Sequence, residues 1–118
     1  MLVWQGCGRH ERRIQEVMNL IFRKHPGLLG FLFEEGRARL RREAELLLID
    51  AGVFSSGEQI LVRMALDLWN GSGNVRLWDI VERLDETNYH NVLAGLRHLR
   101  RIDDGGPEYV WRQPKMAY

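Results

Sequence analysis

The stretch that decides the fold begins at Trp78-Asp79-Ile80-Val81-Glu82-Arg83-Leu84 and passes through Asp85-Glu86-Thr87. It ends on Tyr89-His90-Asn91-Val92-Leu93-Ala94-Gly95-Leu96-Arg97-His98-Leu99-Arg100-Arg101. Apolar residues recur at helical spacing on both sides of a polar turn. The pattern predicts a short amphipathic helix near 78–84, a tight turn, and a longer amphipathic helix near 87–101. Behind them, Ile102-Asp103-Asp104-Gly105-Gly106-Pro107-Glu108-Tyr109-Val110-Trp111-Arg112 predicts a β-hairpin closed by its glycine turn.

Upstream, Val75-Arg76-Leu77 fits a short strand that pairs with the hairpin. Residues 57–70 carry Ile60, Leu61, Val62, Met64, Ala65, Leu66, Leu68 and Trp69, leaving only Gln59, Arg63, Asp67 and Asn70 as a polar stripe. A helix apolar nearly all round is a buried one, so this segment is expected to be the central strut. Ser55 and Glu58 have the spacing of a capping box at its start. Asn70-Gly71-Ser72-Gly73-Asn74 follows it as a surface loop.

Further toward the N-terminus, Ile14, Val17, Met18, Ile21 and Phe22 mark a one-sided helix over 11–24, ended by Pro26-Gly27. The stripe Leu29, Leu32, Phe33, Gly36, Leu40, Ala44, Leu47 and Ala51 keeps helical period, which predicts one long helix over 28–51 stopped by Gly52. Glu35, Arg39 and Glu43, with Arg41 and Glu45, then form an i,i+4 salt-bridged solvated face. Leu61, Met64, Ala65, Leu68, Ile80, Leu84, Leu93 and Leu96 are the expected core. Trp69, Trp78 and Trp111 are expected to anchor it, and residues 113–118 to form a frayed tail.

The order of elements over roughly 57–112 resembles the winged helix-turn-helix superfamily. The resemblance implies a mainly α fold with a small β-hairpin: a winged helix-turn-helix core (55–112) preceded by an N-terminal helical hairpin (11–51), all in one domain, 1–118. Many members are DNA-binding regulators, in which residues near the start of the second helix reach base edges. By position, Asn88, His90 and Asn91 are the base-contact candidates, and asparagine suits a bidentate bond to adenine. Arg76, Arg97, Arg101, Arg112 and Lys115 are the phosphate-contact candidates. Tyr89, Val92, Leu93, Leu96 and Leu99 would face inward, with Thr87, His90, Asn91, Ala94, Arg97, His98 and Arg101 outward.

Charge opposes that reading. The 118 residues carry a net charge of +1, and residues 75–118 hold seven basic and seven acidic side chains. DNA-contacting domains usually show a basic excess. The other expectation is therefore a non-enzymatic interaction module, an adaptor or inhibitor that docks on another protein, with Ala94-Gly95 admitting a partner helix. A regulator that reads a palindromic site is expected to be a homodimer, held by the 11–24 helix and the Leu28–Phe33 cluster.

Several classes fall away. A composition of 45% apolar and 28% charged residues is that of an ordinary globular domain. No apolar run approaches the ~20 residues that span a bilayer, and Met1-Leu2-Val3-Trp4 has no basic leader or signal-peptide h-region. The single cysteine, Cys7, fits a reducing, cytoplasmic setting. Cys7 and His10 make one isolated ligand pair, and His90 and His98 stand about 12 Å apart on a helix, so no metal or other cofactor is expected. Phe54-Ser55-Ser56-Gly57-Glu58-Gln59 looks like the signature loop of ABC-type ATPases, but no phosphate-binding G-x-x-x-x-G-K-[ST] loop accompanies it. No nucleophile with a paired base is evident, so an enzyme is not expected.

Overall fold

Six α-helices run through residues 1–103, the part of the chain that the computed structural model describes. They are α1 (Arg9–Ile21), α2 (Gly27–Leu32), α3 (Ala44–Asp50), α4 (Ser56–Asn70), α5 (Leu77–Arg83) and α6 (Glu86–Asp103), with a 3-10 turn at Ala51–Val53. The apolar spacing of the N-terminal helix is realised. Ile14, Val17, Met18 and Ile21 of α1 are buried, and Phe22 just beyond it is fully so. Glu11 accepts the Gly8 N–H at 2.8 Å, which satisfies a donor at the start of α1.

The single long helix expected over 28–51 is two short helices separated by a turn. Gly36 sits in the left-handed region (φ +73°), where a helix cannot continue. Around it Glu34 N–H donates to Arg39 O at 2.9 Å, and Phe33 and Leu40 form an isolated antiparallel bridge. The i,i+4 ladder of Glu35, Arg39 and Glu43 therefore has no helix to stand on. Glu34 instead lies 4.0 Å from Arg37 and 3.6 Å from Arg39, and Arg42 pairs with Asp50.

The turn serves an aromatic cluster. Trp4, Phe33 and Trp69 meet edge to face, with ring centroids 5.2, 5.3 and 5.7 Å apart. Such contacts add to plain burial. Trp4 arrives on an extended N-terminal segment tied to α1, where its N–H donates to the Gln15 side chain and Leu2 exchanges two hydrogen bonds with Asn19.

α4 is the central strut, in contact with α1, α2, α3 and α5. Leu61, Val62, Ala65 and Leu66 are fully buried, and Met64 nearly so. Its start is the capping box that the sequence predicts: Ser55 Oγ accepts from the Glu58 N–H at 3.2 Å, and Glu58 Oε1 from the Ser55 N–H at 3.0 Å. Its end is a left-handed Gly71 (φ +78°) whose N–H returns to Leu66 O and Asp67 O.

The winged helix-turn-helix assignment is corrected. No strand forms among the described residues beyond the Phe33–Leu40 bridge. The expected first strand, 75–77, is absent because its donors go elsewhere. Asp67 takes the N–H groups of Gly73, Asn74 and Val75 at 2.8–3.0 Å, and Leu77 already opens α5. Ile102 and Asp103, where the hairpin was to begin, are the last residues of α6. Arg100 and Arg101 are good helix formers and extend it. The remainder of the expected hairpin, with Trp111 and Arg112, and the tail with Lys115 lie outside the described residues.

The apolar clusters assigned to a dimer contact are also inside this chain. Ile14, Val17, Met18, Ile21, Phe22, Leu28, Leu29, Leu32 and Phe33 all belong to one buried core. No described helix is long and apolar enough to cross a membrane.

Candidate nucleic-acid interface

The short helix, turn and longer helix expected over 78–101 are present. α5 ends at Arg83, the buried Leu84 turns the chain, and Asp85 starts α6 by accepting the Asn88 N–H at 2.8 Å. This is the usual way that a short carboxylate satisfies an orphan donor of the first turn. Lys24 binds the other Asp85 oxygen at 2.8 Å. The Lys24 contact first, then the Asn88 N–H, hold the Asp85 carboxyl below its ordinary range.

Asn88 completes a chain across three elements. Its amide nitrogen lies 3.4 Å from Asp85 Oδ2 and 3.3 Å from His25 Nε2, while His25 Nδ1 faces Glu58 Oε2 at 3.5 Å. The Ser55 N–H, then the Ser55 hydroxyl, hold the Glu58 carboxyl low. The α4 cap, the chain after α1 and the turn before α6 are thereby stitched together. Asn88 is only 3% exposed, so it serves this network and is not presented to a base.

α6 lies along α1, with which it makes its most extensive contact. Val92 and Gly95 are buried against it, and Leu99 is half-buried. At Gly95 an added Cβ would come within 2.6 Å of Ile21 Cγ1 and 3.3 Å of Val17 O. The missing side chain is what lets the helices approach, so the small-residue pair Ala94-Gly95 receives a helix of its own chain. The inward stripe is thus Asn88, Val92, Gly95 and Leu99. Leu93 is only half-buried, and Leu96 is 39% exposed, so the expected inward face is rotated.

The outward face of α6 carries the remaining candidates. His90 and Arg97 are exposed and Asn91 is half-buried. His90 and Arg97 are seven residues apart and share a face. His98 is turned toward α1, 3.0 Å from Glu16. Arg101 falls in the last turn of α6 and Arg76 is exposed at the start of α5. The structure thus groups His90 and Arg97, leaves half-buried Asn91 at the flank of their face, places Arg76 at the start of the neighbouring helix, and buries Asn88.

Two features escape the sequence reading. Leu77, Trp78 and Val81 are 80%, 70% and 60% exposed, so Trp78 is not a core anchor. α5 has four large apolar residues in seven but contributes only Ile80 to the core, and that excess is a signal the sequence did carry. The second is a groove between α4 and α5 lined by Arg63, Arg76 and Arg83, whose members are scattered along the chain. No group of three or more metal-ligating side chains occurs among the described residues. No known protein family, curated protein or solved structure matches the chain.

Proposed function

We propose that the chain is a DNA-binding regulator that lays the outward face of α6 in the major groove. The observation that carries this reading is the clear face left opposite α1, where His90 and Arg97 are exposed and half-buried Asn91 flanks them. His90 and Asn91 would meet base edges, and Arg76, Arg97 and Arg101 phosphates. The cytoplasm, expected from the single cysteine, is the compartment that goes with this role.

A second reading, a protein-interaction module, is favoured by the exposed Leu77, Trp78 and Val81. Three large apolar side chains on adjoining turns of one helix are the kind of patch a protein partner covers. Residues 77–103 also hold four basic and five acidic side chains, a poor balance for a phosphate surface.

Fluorescence anisotropy with a random duplex library at two salt concentrations separates the two. DNA binding releases condensed counterions, so affinity falls steeply with salt. Arg97→Ala weakens binding to every sequence and flattens the salt slope by about one unit. Asn91→Ala relaxes discrimination at one base pair. Binding weaker than about 100 µM to every duplex at low salt rejects the DNA reading and leaves the interaction module.

A further inference from the structure

We infer that the groove between α4 and α5 is a binding site for a phosphate group, of the dianionic kind carried by a small phosphomonoester. The groove holds about 330 Å³, the lower end of the size range of small-molecule sites. Arg63 reaches it from α4, while Arg76 and Arg83 reach it from the start and end of α5. Among the described residues the only carboxylate in its lining is Asp79, which lies 3.5 Å from Arg83 Nε. Three arginines against one carboxylate leave a net two positive charges in the lining of one concavity, and a dianion neutralises both.

The donors are free to serve a ligand. Arg63 spends one N–H on Gly73 O at 3.0 Å, out of the five a guanidinium carries. Arg76 makes no ion pair or side-chain hydrogen bond among the described residues, and Asn74 adds an amide at the rim. Guanidinium forks match phosphate oxygens in pairs, which is why arginine recurs wherever phosphate is held in a fixed orientation. The walls are built rather than loose. Asp67 clamps the loop 73–75 onto α4 through three backbone N–H groups, fixing where Arg76 begins α5.

Of the residues given to the DNA reading, this groove shares Arg76 alone. At 100° per residue, Arg76, Asp79 and Arg83 fall on the face of α5 opposite Leu77, Trp78 and Val81, and no residue of α6 lines the groove. An occupant here would bridge α4 and α5 and so fix the first helix of the pair.

The test is a nitrogen–proton correlation spectrum of the full chain titrated with inorganic phosphate, against chloride at matched ionic strength. The range extends to about 20 mM, to cover the weak affinity of so small a ligand. Saturable shifts confined to 56–63 and 73–83 are expected, weakened about tenfold by Arg76→Ala and likewise by Arg83→Gln, with the dispersed spectrum verifying the fold of each variant. A nucleoside monophosphate binding more tightly than phosphate assigns the site to a free phosphomonoester. A short duplex that displaces phosphate assigns the groove to the monoanionic diesters of the nucleic-acid backbone and overturns the phosphomonoester. Shifts that chloride reproduces, or that Arg37→Ala weakens as much as Arg76→Ala, overturn the proposal. Absence of phosphate binding leaves the anisotropy result on DNA unaffected.

Discussion

Gly73 and Gly95 each let one segment of backbone come close to another, but they meet different kinds of atom. An added Cβ at Gly73 would lie 1.8 Å from Arg63 O, 2.7 Å from Arg63 C and 2.9 Å from Asp67 N, all backbone of α4. At Gly95 it would first meet side-chain carbons of Ile21, at 2.6 and 3.2 Å, with only Val17 O, at 3.3 Å, from the backbone. The approach to α5 is therefore locked rigidly, whereas α6 is seated on α1 by packing that has room to adjust. The two helices of the pair are held by different physics.

The largest expected effect comes from the rigid side. Gly73→Ala has no rotamer to relieve it, so the loop must leave α4 and release the Asp67 hydrogen bonds with it. A loss above about 3 kcal/mol is expected in urea unfolding, beyond ordinary overpacking. Asp67→Ala, which strands three N–H groups without crowding anything, costs about 2–3 kcal/mol, the worth of charged hydrogen bonds. If Gly73→Ala costs less than Asp67→Ala, the loop yields and the contrast between the glycines is lost.

The register of α6 is tested next. Val92 is fully buried against α1, while Leu96 is 39% exposed. Val92→Ala is expected to cost about 2 kcal/mol and Leu96→Ala under about 1, although leucine loses more carbon. The reverse order in chemical denaturation would restore the leucine-lined face that the sequence suggests.

That face shows where sequence reading stops. Ser55 and Glu58 were legible because a capping box is satisfied within four residues of chain. The buried phases of α1 and α4 were legible because their apolar stripes are strong. The phase of α6 is set by its partner: α1 presents bulky Val17 and Ile21, so the stripe that fits carries Gly95 and Asn88 rather than Leu93 and Leu96. Nothing local in 86–103 announces that. The break at Gly36 likewise belongs to Phe33 reaching Trp4 and Trp69, three segments far apart in the chain. Of the site residues, His90, Arg97 and Arg76 are exposed and Asn91 is half-buried. Asn88 was misplaced because its role, bridging Asp85 and His25, depends on a contact 63 residues away.

Gly95→Ala sharpens the comparison from its softer side. Alanine regains up to about 1 kcal/mol of helix propensity, which partly offsets the crowding of Ile21 and Val17 O. A net loss near 1 kcal/mol is expected, well below that of Gly73→Ala. A loss as large as the one at Gly73 would mean that α1 and α6 are locked as rigidly as the loop.

The smallest effect is electrostatic and joins the two regions, because Asp85 and Glu58 belong to the network between the α4 cap and the start of α6. Both carboxyls are held below their ordinary range, Asp85 chiefly by Lys24 and Glu58 chiefly by the Ser55 N–H. A group whose value is lower in the folded chain than in the unfolded one stabilises the fold when ionised. That contribution is fully present above the ordinary carboxylate range, about pH 4 to 4.5, and is lost as pH falls through the lower folded values. Asp85→Asn isolates the charge, since asparagine also caps helices well. The urea midpoint of this variant is expected to lie below that of the parent at pH 7, and the gap to narrow by about pH 3, where the unfolded chain already protonates Asp85. Added salt should narrow the gap at pH 7, because Lys24 and Asp85 are half exposed and screened. A gap unchanged between the two pH values would show that Asp85 acts through the shape of its cap and not through its charge.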